Sequence, residues 1–77
     1  MTTPRIEILK ANCTLLYTDN FTILYSYNTP VACYDIVNKK YYRTNHFHSV
    51  TTSKHINNWL RGKVAVSVDQ EFFDNLS

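Results

Sequence analysis

Three histidines are the residues of this chain with the most adaptable chemistry. His46 and His48 are two positions apart, and on a strand such residues point to the same side, so both imidazoles could hold one metal ion. A zinc site needs a third and a fourth ligand, and His55 or a cysteine would have to supply them. Because isolated pairs of this kind are common by chance, we predict solvated or hydrogen-bonded histidines, with no metal and no cofactor.

The chain has two cysteines, Cys13 and Cys33. They are too few for a disulfide scaffold, and neither belongs to a CxxC pair. We predict two reduced thiols that pack as small apolar side chains, which places the protein in the cytoplasm. A bridge between them stays open, because it requires adjacent strands.

Residues 49–55 bring hydroxyl groups, a lysine and a histidine to the start of a predicted helix. The free amides of a helix N-terminus favour a phosphate or a carboxylate. Two interpretations are open for Thr51, Thr52, Ser53 and His55. Either the hydroxyls only cap the helix while the histidine packs against or bonds to the sheet, or these residues form an anion site.

Charge is distributed unevenly along the chain. The net charge is +2, yet all six acidic residues lie outside residues 36–68, a stretch that also contains Tyr41, Tyr42 and Trp59. Nucleic-acid surfaces combine cations, which release counterions from phosphates, with rings that stack on bases. The pattern predicts nucleic-acid or anion binding by the following residues: Lys39, Lys40, Arg43, Lys54, His55, Arg61 and Lys63.

Patterns typical of enzymes are missing from the sequence. A single glycine cannot supply a phosphate-binding loop, and no HExxH, paired CxxC or GxSxG is present. The carboxylates are scattered, and a chain of 77 residues leaves little room for a substrate cleft. We predict that the protein is not an enzyme.

Length and composition favour one soluble domain over residues 1–77. Apolar residues make up 44% of the chain, with one Gly and two Pro, which is typical of a globular protein. Neither a signal peptide nor a stretch long enough to span a membrane is expected. The oligomeric state cannot be deduced from these features.

The first two elements that would position these residues form a predicted hairpin over residues 13–27. Alternation and β-branched content favour two strands joined at Asp19-Asn20. That turn places Leu16 opposite Ile23, and Leu15 opposite Leu24. A short strand over residues 6–9 could add to an edge.

A second hairpin is predicted after Pro30, which we place in a turn because it cannot donate to a strand ladder. Its strands are residues 31–37 and 40–44, joined at Asn38-Lys39. In that register Ile36 faces Tyr41, and Asp35 faces Tyr42.

A helix is predicted over residues 51–61 from the spacing of Ile56, Trp59 and Leu60, with Gly62 as its left-handed end. A strand over residues 64–68 and a short C-terminal helix follow. Ser67 with Gln70, or Asp69, would cap that helix, which would bury three apolar residues: Phe72, Phe73 and Leu76. The order predicts an α+β domain in which both helices pack on one face of an antiparallel sheet of four to five strands.

A family resemblance is carried by two runs, Tyr25-Ser26-Tyr27-Asn28-Thr29-Pro30-Val31-Ala32 and residues 49–60, SVTTSKHINNWL. They resemble small uncharacterised proteins of bacteriophages and prophages with "SYxTPVA" and "SVTTSKHINxWL" motifs. The resemblance covers about residues 21–62. It implies a phage origin and a shared fold, but no activity.

Two functional hypotheses follow. In the first, the protein is a non-catalytic binding module whose basic residues contact nucleic acid or another anionic surface. In the second, it is an accessory factor that binds a host or phage protein. In that case exposed tyrosines would anchor the partner, and the candidates are Tyr17, Tyr25, Tyr27, Tyr34, Tyr41 and Tyr42.

Overall fold

A computed structural model describes residues 5–10 and 12–76 of the chain. The strands are β1 (Arg5–Lys10), β2 (Cys13–Tyr17), β3 (Phe21–Ser26), β4 (Thr29–Asp35), β5 (Lys40–Thr44) and β6 (Ala65–Val68), and the helices are α1 (Val50–Leu60) and α2 (Gln70–Asp74). All six strands form one sheet in the order of the sequence. The predicted α+β class is confirmed, but the sheet has six strands rather than four to five.

The first four pairs of neighbouring strands are antiparallel, whereas β5 and β6 are parallel. A parallel pair needs a crossover connection, and α1 supplies it. The expectation of a wholly antiparallel sheet was therefore wrong at its last strand.

The β2–β3 hairpin has the predicted register. Leu15 lies opposite Leu24, and Leu16 lies opposite Ile23. Thr18 closes the turn, because its backbone N donates to the Phe21 carbonyl (2.8 Å) and its hydroxyl accepts from the Phe21 N–H (3.0 Å). The alternating residues of these strands were sufficient to predict their pairing.

The β3–β4 turn is tighter than predicted. Tyr27 and Asn28 occupy it with φ of 54° and 75°. Pro30 lies within β4, opposite Tyr25, at an irregularity of the register that follows Leu24. Placing Pro30 in the turn was therefore wrong, since a bulge interrupts the ladder and accommodates a residue without an N–H.

The β4–β5 connection is longer than the predicted two-residue turn. Asp35 lies opposite Lys40, and Tyr34 lies opposite Tyr41, so the predicted pairs were wrong. The Asp35 carboxylate accepts hydrogen bonds from the backbone N (3.1 Å) and the Nδ2 (2.7 Å) of Asn38. This side-chain acceptor stabilises a four-residue loop, residues 36–39.

The N-cap of helix α1 lies earlier in the sequence than expected. Ser49 is the N-cap, and its Oγ accepts from the Thr52 N–H at 3.1 Å, so assigning the cap to Thr51, Thr52 or Ser53 was wrong. At the other end Arg61 and Gly62 both have left-handed φ, 51° and 80°. The predicted role of the glycine in ending the helix is thereby confirmed.

The two helices pack on opposite faces of the sheet. On the α1 face, Leu15 and Leu24 pack with Ile56 of the helix. On the α2 face, Ile23 packs with Phe73, which is fully buried. Adjacent strand residues point to opposite faces, and here both sets are apolar, so each face needs its own cover. The expectation of two helices on one face was wrong.

Candidate functional site on the α1 face

A buried polar cluster lies between α1 and the sheet. The Ser26 Oγ is 3.0 Å from the Thr52 Oγ1 and 2.9 Å from the His55 Nδ1. The Ser49 Oγ also donates to the Thr52 Oγ1 at 3.2 Å. The interpretation in which His55 bonds to the sheet is therefore confirmed.

A serine beside a histidine is also the arrangement of a hydrolytic nucleophile. Here Ser26 is only 2% exposed, and its Oγ also contacts Thr52. Thr52 and His55 are buried as well, so the predicted anion site keeps only Thr51, which is exposed, and the half-buried Ser53 on the solvent side. The cluster positions α1 on the sheet and offers no accessible nucleophile.

A cavity of about 400 Å³ lies beside this cluster. Its described lining comes from β1, β2 and α1: Leu9, Cys13, His55, Asn58, Trp59 and Arg61. Trp59 packs edge-on against Tyr41, with ring centroids 5.6 Å apart. The cavity brings an indole, an amide and a guanidinium together, and its volume is in the range of small-ligand sites. Leu9 and Cys13 carry no sequence signal for this role, since only the fold brings them to α1.

Four basic residues lie in α1, just after its C-terminal end or on the neighbouring strand β5. Lys54, Arg61 and Lys63 are exposed, and the half-buried Arg43 reaches the helix, where its Nη1 donates to the Asn57 Oδ1 at 3.4 Å. No acidic residue occurs within the helix. Four of the predicted binding residues are thus grouped around one helix.

The remaining two cations lie elsewhere. Lys39 is in the loop after β4, and Lys40, opposite Asp35, shares the α2 side of β5 with Tyr42. Two hydrogen bonds from Asn38 hold the pKa of Asp35 below its usual value, with a smaller contribution from the charge of Lys40. This lysine is therefore close to a carboxylate, unlike the cations of α1.

The cysteines are separated by the sheet. Cys13 belongs to the core of the α1 face and Cys33 to that of the α2 face, and neither forms a disulfide. Since β3 also lies between their strands, a bridge between them is excluded, and the prediction of two packed thiols is confirmed. Burial, with a smaller effect of Asp35, raises the pKa of Cys33 to about 12, so this thiol is unreactive.

The rings of His46 and His48 pack edge to face, with centroids 4.5 Å apart. The Nε2 of His48 lies 2.9 Å from the Gln70 Oε1, so hydrogen bonding of this histidine is confirmed. Within residues 5–10 and 12–76 no group of three possible metal ligands is found.

A second, apolar groove of about 200 Å³ lies on the α2 side of β1–β3. Its lining is Ile6, Thr14, Leu16, Tyr25 and Asn28. Ile6 is 66% exposed, and its neighbour on the same side of the strand, Ile8, is 76% exposed. The sequence predicts a short edge strand at these positions but no function for the two isoleucines.

The comparisons with known proteins identify one family. The model of a family of unknown function (DUF8033) matches residues 1–75. No curated protein and no solved structure matches the chain. Neither helix of the described part is long and apolar enough to cross a membrane.

Proposed function

We propose that this chain, which belongs to the DUF8033 family, is a non-catalytic binding module that contacts nucleic-acid phosphates through the outer side of α1. The observation that carries the proposal is a helix without a carboxylate that exposes Lys54 and two amides, with exposed Arg61 and Lys63 just after it and a cavity containing an indole beside it. We call this area the α1 surface, and its residues are Arg43, Lys54, Asn57, Asn58, Arg61 and Lys63. A phage origin and a place in the host cytoplasm belong to the same proposal and derive from the motif resemblance and the thiols.

The spacing along the helix supports contacts to more than one phosphate. Arg61, the C-cap, follows Lys54 by seven residues, which is about 10 Å along the helix axis, so the two cations are spaced to reach different phosphates. Asn57 and Asn58 lie between them and are exposed. Amide donors between cations suit phosphate oxygens, which accept hydrogen bonds from both.

The cavity adds to this surface a place where nucleic-acid bases bind. Trp59 and Arg61 both line it, and both present planar groups on which a base can stack. Stacking requires an unpaired base, because bases within a duplex already stack on one another. We therefore propose single-stranded nucleic acid as the preferred ligand.

The test is the double replacement Lys54→Ala and Arg61→Ala, with Lys39→Ala and Lys40→Ala as a control of equal charge change away from α1. Binding of a fluorescently labelled single strand is followed by anisotropy at several salt concentrations. Each phosphate contact contributes about −0.7 to the log–log salt slope, so the α1 variant should lose about 1.4 from the slope and bind at least about tenfold more weakly.

The control variant should retain more of the affinity and more of the slope. Circular dichroism should give the same thermal transition for both variants, because the four replaced residues are exposed. Absence of binding by the unmodified protein at low salt, or an equal loss in both double variants, would contradict the proposal.

A second candidate function is binding of a host or phage protein as an accessory factor. The observation that favours it is the number of large apolar side chains in solvent, among them Phe47 at 66% and Tyr27 at 51% exposure. Tyr27 is the most exposed of the six tyrosines that were considered as anchors. An affinity capture that recovers one protein at unchanged yield after nuclease treatment would favour this function over the first.

A further inference from the structure

Strand β1 ends the described sheet on one side. It pairs only with β2, so the outer edge of residues 5–8 faces no other strand among those described. Unpaired edges offer backbone donors and acceptors to another strand, and proteins usually protect them with charges or irregularities. This edge carries charges and a register irregularity after Ile8, but it also exposes two isoleucines, Ile6 and Ile8, beside the apolar groove.

The other side of β1 carries opposite charges two residues apart. Arg5 and Glu7 both contact Tyr17: the guanidinium carbon is 4.5 Å from the ring centroid, and the Glu7 Oε1 accepts from the tyrosine hydroxyl at 2.6 Å. Both charged side chains are exposed despite these contacts. The strand therefore alternates cation, isoleucine, anion and isoleucine, a pattern that is complementary to itself when it runs antiparallel.

We infer that β1 pairs antiparallel with β1 of a second copy of this chain, about a two-fold axis at Ile6 that is perpendicular to the sheet. In this register Arg5 lies opposite the partner subunit's Glu7, and Glu7 lies opposite the partner subunit's Arg5. Ile6 lies directly opposite the partner subunit's Ile6, and Ile8 is the diagonal neighbour of the partner subunit's Ile6. The occupant of the edge is thus an identical strand, selected by charge complementarity.

Neighbouring registers are disfavoured by the same charges. A shift that centres the axis on Glu7 places two carboxylates opposite each other, and a shift to Arg5 does the same with two guanidinium groups. A shift by one residue would turn the isoleucines of one copy to the opposite face from those of the other. The register at Ile6 alone combines two ion pairs with contact between isoleucines.

The dimer has a consequence for the α1 surface. An axis perpendicular to the sheet leaves both copies of α1 on the same side of one continuous sheet, whereas an axis within the sheet plane would place them on opposite sides. Two α1 surfaces on one side would contact a single strand twice, which increases affinity without new contacts. The dimer itself does not depend on nucleic-acid binding.

The experiment is sedimentation velocity of the full chain with two charge reversals, Arg5→Glu and Glu7→Arg. The interface is small, so dissociation of the wild type is sought between about 10 µM and about 1 mM. Each single reversal converts both ion pairs into like-charge pairs and should weaken dimerisation by about tenfold or more. The double variant restores complementarity and should dimerise as the wild type does.

Mixing the two single variants gives the sharpest result. In a mixed dimer every charge at positions 5 and 7 faces an opposite one, so an equimolar mixture should dimerise although neither variant does so alone. Lys63→Glu is the matched control for Arg5→Glu and should leave dimerisation unchanged. Because the mixed dimer and the double variant require folded chains, recovery of dimerisation also excludes misfolding as the cause of the loss.

Three outcomes would overturn the inference. They are a wild type that stays monomeric up to about 1 mM, single reversals that dimerise like the wild type, and a mixture that stays monomeric. If the reversals prevent folding, as judged by circular dichroism, Ile6→Thr replaces them, since threonine keeps the β propensity. That variant should dimerise about tenfold more weakly, and unchanged dimerisation would equally overturn the inference.

Discussion

The two faces of the sheet are built from alternate residues of the same strands, yet they bury different chemistry. The α2 face packs Ile23, Cys33 and Phe73, and the half-buried Gln70 of α2 accepts from the Thr44 hydroxyl at 3.0 Å and donates to the Pro30 carbonyl at 2.6 Å. The α1 face adds a hydrogen-bonded group around Ser26 to its apolar core. Apolar packing tolerates small displacements of a helix, whereas hydrogen bonds require fixed positions. The comparison indicates that hydrogen bonds fix both helices on the sheet, but only on the α1 face are they made among side chains that are all buried, and there they also fix the position of Lys54.

The largest effect should come from removing the central residue of the α2 face. Phe73→Ala deletes a fully buried ring, and such changes cost about 3–5 kcal/mol of the free energy of unfolding. Small domains are stable by only about 5–15 kcal/mol, so much of that stability is lost. Urea denaturation followed by circular dichroism measures the change, with Phe47→Ala, at a phenylalanine 66% exposed, as the control. Equal effects of the two substitutions would contradict the importance of this face.

A smaller loss is expected on the α1 face. Ser26→Ala removes the hydrogen bonds that the Ser26 hydroxyl makes with Thr52 and His55, at a cost of about 1–3 kcal/mol. Ser67→Ala, at an exposed serine of β6, is the matched control and should change little. The same denaturation experiment decides between them, and a value for Ser26→Ala as small as that of the control would show that the buried cluster does not position α1.

The smallest expected effect is a pH dependence of stability that arises from Asp35, at the edge of the α2 face. The pKa of Asp35 is lowered in the folded state, so its stabilising contribution is present above the usual carboxyl pKa and is lost as pH falls through the lower, folded value. Asp35→Asn should therefore lower the thermal midpoint at neutral pH, and the difference from wild type should narrow under acid conditions. If the difference in thermal midpoint between Asp35→Asn and the wild type stays constant with pH, the loss of stability comes instead from the geometry of the loop over residues 36–39.

The sequence was most informative where structure depends on local periodicity. The pairing of Leu15 and Leu16 with β3 follows from neighbouring residues alone. The same is true of the end of α1 just before Gly62. The β4–β5 loop could not be predicted in the same way, because its length depends on the carboxylate of Asp35 accepting two hydrogen bonds from Asn38.

Long-range arrangements were the least predictable. Periodicity shows that a strand has two apolar sides, but it does not state which helix covers which side. The cavity beside Trp59 and Arg61 depends on Leu9 and Cys13, which reach α1 only after the sheet is formed. The sequence analysis grouped Lys40 and Arg43 on one basic surface, but their side chains point to opposite faces of the sheet. The two residues are three positions apart in β5, and successive strand residues alternate between faces.

The order of the strands in the sheet has a consequence for the folding pathway. Each strand lies beside its predecessor in the chain, and the first five are linked by short turns, so most of the sheet can assemble with little loss of chain entropy. Only the β5–β6 pair must close a long segment, and α1 shortens that distance by forming within it. Low contact order of this kind favours rapid folding, with β6 expected to join after the strands that precede it.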